Sequence, residues 1–151
     1  MMKKGITNMN YLNFKSEYDK NPIIKMKIEN PLLWDQETDI VLELSKITSG
    51  VLVFETYPGI DLDTLKMQII DKLNPNHLIN IEDYTKSEAE IDQMIKPNLT
   101  DDRVFGFYSN HVITDFYDHE KLNFLKDEIN KYEGLVVVYG FGASQIKSDY
   151  L

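Results

Sequence analysis

Apolar runs alternate along the chain with segments in which apolar residues recur at helical spacing. The runs predict strands at 51–56, 78–81 and 135–139, because uninterrupted apolar stretches of this length are typical of strands covered on both faces of a parallel sheet. Helical segments separate them. This order predicts an α/β fold, a three-layer domain with a mostly parallel central sheet and helices on both faces.

Polar residues that can accept hydrogen bonds from free helix amides precede the helical segments. The predicted N-caps are Asp35, Asp61, Ser87 and Asp118. Ser87 and Glu90 have the spacing of a capping box. Gly50 and Gly134 follow the first and last helical segments and are predicted to end them.

Outside these elements, residues 1–21 are polar with scattered aromatic side chains and predict a loosely ordered N-terminal segment. Residues 22–28 alternate in their second half as an edge strand does. We therefore expect a single α/β domain at 22–151. Since the chain ends soon after the third strand, we also expect this domain to be a fragment or part of a longer protein.

The junction after the first strand contains Tyr57, Pro58 and Gly59, at the place where open α/β sheets bind ligands. A Walker-type phosphate loop would continue with glycine, lysine and a hydroxyl residue, but Asp61, Leu62 and Asp63 stand at those positions. Carboxylates at a helix start compete with a bound anion. The junction predicts a P-loop-kinase-like shape without nucleotide-cleaving chemistry, and an ordinary strand-to-helix turn is the alternative.

A second glycine-containing turn, Gly140 to Ser144, follows the third strand. Gly140 and Gly142 match half of a Gly-x-Gly-x-x-Gly dinucleotide fingerprint, but Gln145 replaces its last glycine. A strand end that needs positive φ is the alternative. If the strands are parallel and adjacent, this turn and the turn at 57–59 should face a common hollow. We expect a neutral or cationic group, or another part of the full-length protein, to bind there more readily than phosphate.

Asp83 and Arg103 complete the candidate ligand-binding residues. Asp83 follows the second strand, where a carboxylate suits a cation or a ribose, although exposed loop acids are common. Arg103 could contact phosphate or brace its loop by pairing with Asp101 or Asp102. The full candidate set is Tyr57, Pro58, Gly59, Asp83, Arg103, Gly140, Gly142 and Ser144.

The sequence assigns no catalytic residue and no metal site. His111, Asp115, Asp118 and His119 have spacings that could share a helical face and bind zinc. However, Asp118 is a predicted cap and would interrupt that helix. The group therefore predicts a solvated polar turn.

The amino-acid composition disfavours several classes of binding partner and of chemistry. A net charge of −9 with no cluster of lysines disfavours nucleic acid and anionic membrane surfaces. The absence of cysteine excludes disulfides and thiol chemistry and fits a reducing compartment. No stretch approaches the length of a membrane span. We therefore expect a cytoplasmic protein without a cofactor in this chain.

Four segments together carry a resemblance to a known family: residues 57–59, 94–106, 115–122 and 138–144, of which Thr-Asp-Asp-Arg-Val-Phe-Gly at 100–106 is distinctive. The chain resembles the N-terminal domain of long bacterial class I mannose-6-phosphate isomerase-like proteins. The resemblance implies that isomerisation to fructose 6-phosphate, and the zinc it requires, belong to a separate cupin domain. The leading domain itself is similar to a nucleoside-kinase-type fold that lacks the Walker lysine.

Three functions remain open. The first is a non-catalytic accessory or regulatory domain of a mannose-6-phosphate isomerase-like protein, which senses a phosphorylated metabolite or docks on the catalytic cupin domain. The second is a divergent P-loop-type small-molecule kinase or NTPase. The third is a structural oligomerisation domain. Leu62 at the lysine position favours the first, because phosphoryl transfer relies on positioned positive charge.

Overall fold

The computed structural model describes residues 33–102 and 104–151. The predicted loose segment 1–21, the predicted edge strand 22–28 and the candidate Arg103 lie outside the described residues. Residues 34–151 form one structural unit. No helix in the described part of the chain has the length and apolar character needed to cross a membrane.

A parallel sheet of three strands organises this unit. The strands are β1 (Gly50–Glu55), β2 (His77–Asn80) and β3 (Leu135–Gly140), in the order β1-β3-β2. Both pairings are parallel, and β3 is buried at all six positions because it lies between the other two. On the outer edge of β1, the amide of Val53 donates to the carbonyl of Tyr150 at 2.8 Å. The predicted parallel sheet is confirmed.

Helices cover both faces of the sheet. The described residues contain α1 (Glu37–Leu44), α2 (Leu62–Gln68), α3 (Glu88–Ile95) and α4 (His119–Ile129). On one face, Val136 and Val138 pack in a core with Leu122, Leu125 and Ile129 of α4. On the other face, Leu135, Val137 and Tyr139 pack with residues of α1 and α2, among them Leu44 and Leu65. This alternation along β3 produces the three layers.

Three predicted caps are confirmed. Asp61 accepts a hydrogen bond from the amide of Thr64, Asp118 accepts from the amides of Glu120 and Lys121, and Ser87 forms a capping box with Glu90. Each satisfies amides that a helix start leaves free.

The first helix differs from its prediction at both ends. Its N-cap is Gln36 rather than Asp35, without a side-chain capping bond. It ends at Leu44 rather than at Gly50, because backbone bonds from Lys46 to Glu43 and from Ile47 to Leu44 tighten the chain into a turn. Gly50 is instead the first residue of β1.

Candidate functional site at the carboxyl edge of the sheet

The three strands end at the same edge of the sheet. Glu55 lies opposite Gly140, and Asn80 lies opposite Tyr139. The connections that follow, at 56–61, 81–87 and 141–146, therefore converge. In open α/β sheets this edge is the usual ligand site.

A hollow of about 280 Å³ lies at this edge. Its lining contains residues of both glycine-containing turns, Pro58 and Gly59 from the first and Phe141 from the second. The remaining lining residues are Glu82, Thr85, Ile91, Phe116 and Tyr117. The hollow is small compared with the pockets that hold drug-sized ligands.

The other candidate residues that the structure describes lie outside this lining. Tyr57 is 84% exposed, and Asp83 and Ser144 are also exposed. Gly140 and Gly142 are buried beneath the turn that they form. Of the candidate residues, Pro58 and Gly59 line the hollow. The amides of Gly142 and Ser144 instead bind a carboxylate of the protein.

The amides of the Gly140–Ser144 turn are already occupied by carboxylates of the protein. Glu55 accepts hydrogen bonds from the amides of Gly142 and Ser144, both at 2.6 Å, one to each carboxylate oxygen. Glu82 accepts from the amide of Phe141 at 3.1 Å. Successive amides of a turn can form a concave anion site. Here an internal anion fills that site, so a phosphate would have to displace it.

The backbone of Gly142 creates this arrangement. Its φ is +87°, in the left-handed region that glycine adopts without strain. A short 3-10 turn, Ala143–Gln145, follows it. Because Glu55 is the last residue of β1 and lies opposite Gly140, its carboxylate is next to the turn. The glycine therefore serves a local structure that binds a side chain.

Tyr117 supports the turn from below. It is 1% exposed, and its hydroxyl donates to the carbonyl of Phe141. Burial raises the pKa of Tyr117 to about 12, and the nearby carboxylates of Glu82 and Glu55 contribute to the rise. Glu55 and Glu82, which bind the amides of this turn, give the edge negative charge.

The start of α2 is also internally satisfied. Asp61 accepts from the hydroxyl of Thr64 at 2.6 Å and from its amide at 3.1 Å. Both bonds lower the pKa of Asp61, and the bond from the Thr64 hydroxyl has the larger effect. Leu62, at the Walker lysine position, packs against the apolar core. The start of α2 therefore resembles the glycine turn, because in both places a carboxylate of the protein accepts the hydrogen bond of a backbone amide.

The histidines and acids near α4 do not converge. His111 Nδ1 lies 3.7 Å from Asp115 Oδ2, whereas Asp118 caps α4. Within residues 33–102 and 104–151, no group of three or more histidine and acidic side chains is arranged to hold a metal ion.

Sequence reasoning missed three residues that define this edge, namely Glu55, Tyr117 and Phe116. It placed a carboxylate at the end of the second strand, at Glu82 and Asp83, but selected Asp83 as the candidate, whereas Glu82 lines the hollow. The available signal was the strand register. A glutamate at the end of one parallel strand, beside a strand that ends in Gly-x-Gly, can reach the amides of that turn. Nothing local to Glu55 indicates it, because the contact spans 87 residues of sequence.

The protein is therefore an α/β domain in which the edge of the sheet that usually binds ligands is occupied internally. Carboxylates of the protein accept the hydrogen bonds of the turn amides at this edge. The chain belongs to the family described as a domain of unknown function (DUF8485), which matches residues 36–151. It is also 28% identical over 92 residues to the polyphosphatidylinositol phosphatase INP53 of Saccharomyces cerevisiae. That match covers 60% of this chain and 8% of the yeast protein, so it spans a small part of the relative's length. No solved structure gives a significant match.

The raised pKa of Tyr117 predicts a loss of stability at alkaline pH. An unfolded tyrosine ionises with a pKa of 10.0, whereas folded Tyr117 keeps its proton up to about 12. The contribution of neutral Tyr117 to the free energy of unfolding is therefore complete below pH 10, and it is lost as the pH rises through about 12. Near pH 11 the expected loss in the free energy of unfolding is on the order of 1 kcal/mol, because one pKa unit of difference between the folded and unfolded states corresponds to roughly that amount.

Urea unfolding of the parent and of Tyr117→Phe, from about pH 8 to about pH 11, tests this. The parent should lose this amount relative to the variant, because phenylalanine cannot ionise. Identical pH dependence in the two proteins would contradict the buried, neutral tyrosine.

Proposed function

We propose that this chain is a non-catalytic accessory domain that docks on the catalytic cupin domain of a mannose-6-phosphate isomerase-like protein. The observation that carries the proposal is an exposed apolar segment, residues 99–102 and 104–113, which we call the docking segment. Leu99, Val104, Phe105, Phe107, Tyr108, Val112 and Ile113 are all exposed within it.

The size of the exposed side chains sets the docking segment apart. Phe107 is 69% exposed and Tyr108 is 88% exposed. Single exposed apolar residues are normal on a protein surface, but a contiguous group of large ones marks an interaction site. Aromatic residues are enriched at the centres of protein interfaces. This surface therefore suits a protein partner with an apolar patch.

Internal hydrogen bonds hold the docking segment in shape. The amide of Phe107 donates to the carbonyl of Asn98 at 2.8 Å, and Nδ2 of Asn98 donates to the carbonyl of Tyr108 at 3.0 Å. Asp102 accepts from the amides of Val104 and Phe105 at 2.8 and 3.2 Å. A surface that is ordered before binding loses less conformational entropy when a partner binds.

The choice of partner rests on the family resemblance. The distinctive stretch at 100–106 overlaps the docking segment. Asp101 and Asp102 are exposed there, so a partner with basic residues around an apolar patch would be complementary.

The carboxyl edge of the sheet supports a non-catalytic role. A nucleotide-cleaving site requires amides and positive charge directed at the phosphates. Here Glu55 and Glu82 occupy the amides, and Leu62 replaces the lysine. For the same reason, the glycine turn is poorly suited to sensing a phosphorylated metabolite.

Replacing Phe105 and Phe107 with serine should weaken binding to the cupin domain at least tenfold. Burying one phenylalanine side chain contributes roughly 1.5–3 kcal/mol. Isothermal titration of the full chain with the purified cupin domain measures the effect. Phe124→Ser is the matched control, because Phe124 on α4 is also a phenylalanine of similar exposure, at 66%.

The outcomes separate the three functions. Binding by the parent and by Phe124→Ser, but not by the double variant, supports docking. If the parent does not bind the cupin domain, or if the control variant loses affinity equally, the docking proposal is wrong. Concentration-dependent dimerisation abolished by the double variant would favour an oligomerisation domain. Steady ATP turnover by the purified chain would favour the kinase or NTPase.

A further inference from the structure

The hollow at the carboxyl edge has aromatic and apolar walls. Phe116, Tyr117 and Phe141 line it, together with Ile91 and Pro58. None of the described residues that line it belongs to the docking segment, so the hollow and the docking surface are argued from different residues. Faces of aromatic rings attract organic cations.

The charge around the hollow is negative. Glu82 lines it, and Glu55 binds the amides of Gly142 and Ser144, in the same turn as the lining residue Phe141. Glu82 uses one oxygen, Oε1, to accept from the amide of Phe141. Among the described residues that line the hollow, none is basic.

The nearest lysine in sequence does not neutralise the hollow. Lys86 follows Thr85, but its ammonium donates to the carbonyl of Asp115. Lys86 lines a different cavity, with Glu90 and Met94. The carboxylate in the hollow is therefore available to a cation that comes from outside.

We infer that this hollow binds a small organic monocation, an ammonium group carried on an apolar or aromatic body. The rings enclose the body, and Glu82 pairs with the ammonium. A volume of about 280 Å³ accommodates a single-ring ligand such as benzylammonium. An anion is disfavoured, because both carboxylates repel it and the turn amides are occupied.

Titration of the full chain with benzylammonium, benzyl alcohol and benzoate, followed by NMR amide shifts, tests this inference. The three probes share one ring and differ in charge. Benzylammonium should bind at least tenfold more tightly than benzyl alcohol and should shift the amides of Thr85 and Phe141. Benzoate should not bind.

Glu82→Gln should weaken benzylammonium binding about tenfold, while the glutamine oxygen can still accept from the amide of Phe141. Asp83→Asn is the matched control, because it removes a neighbouring exposed carboxylate that does not line the hollow. Equal losses in the two variants, equal binding of the alcohol, binding of benzoate, or shifts located elsewhere would each overturn the inference. So would the absence of binding at millimolar benzylammonium.

Discussion

Replacement of Gly142 with alanine is expected to destabilise the protein by about 3 kcal/mol, for two separate reasons. The φ of +87° is strained for any residue with a Cβ, at roughly 1–3 kcal/mol. In addition, the new Cβ would lie 2.6 Å from the hydroxyl oxygen of Tyr117 and 2.9 Å from Nε2 of Gln145. Tyr117 is buried and bonded to Phe141, so relief of this overlap costs roughly a further 1–3 kcal/mol.

Gly59→Ala separates the two causes. Gly59 has the same φ of +87°, but nothing lies within 4 Å of a Cβ placed there. Its substitution should therefore cost the backbone strain alone, about 1–2 kcal/mol. Urea unfolding of both variants measures the difference. Equal losses would mean that Tyr117 moves aside freely and that the turn is not packed as tightly as described.

The sheet could be predicted from sequence because its signal is local. Residues 135–139 form an apolar run, and that run became the strand buried on all sides. The caps Asp61, Ser87 and Asp118 could be predicted for the same reason, since each bonds to an amide two or three residues away. Elements whose stabilising contacts are close in sequence are visible in the sequence.

The end of the last helix shows where a local pattern misleads. Tyr132 continues the helical spacing of Leu125 and Ile129, yet α4 ends at Ile129. Tyr132 lies beyond the helix and stacks on His77, with ring centroids 4.2 Å apart. A contact across the fold, 55 residues away in sequence, determines its position.

The candidate site was predicted less well, because its decisive contacts are remote. The two glycine-containing turns were identified as neighbours, and residues of both line the hollow. Which groups occupy the turn amides depends on the register of β1 against β3. The exposure of the docking segment could not be predicted from the sequence either. Its apolar residues resemble core positions in sequence, and only the structure leaves Phe107 and Tyr108 exposed.

The same remote contact predicts a strong effect of Glu55. Glu55→Ala removes the acceptor for the amides of Gly142 and Ser144. Hydrogen bonds to a charged group contribute roughly 1.5–3 kcal/mol each when buried, and less where water can replace the acceptor. Because Glu55 is exposed, we expect a loss of about 2 kcal/mol in all. Glu82→Ala, which frees only the amide of Phe141, should cost less than half of that.

An added oxyanion should restore part of the stability lost in Glu55→Ala. With the carboxylate gone, the amides of Gly142 and Ser144 can donate to sulfate or phosphate, which stabilises the folded state by mass action. The comparison is between sulfate and chloride at equal ionic strength, in the variant and in the parent. General salt effects of sulfate act on both proteins and cancel in that comparison. If sulfate stabilises the two proteins equally, or if Glu55→Ala costs no more than Glu82→Ala, then water satisfies the turn amides and Glu55 is not the anion that the turn is built to hold.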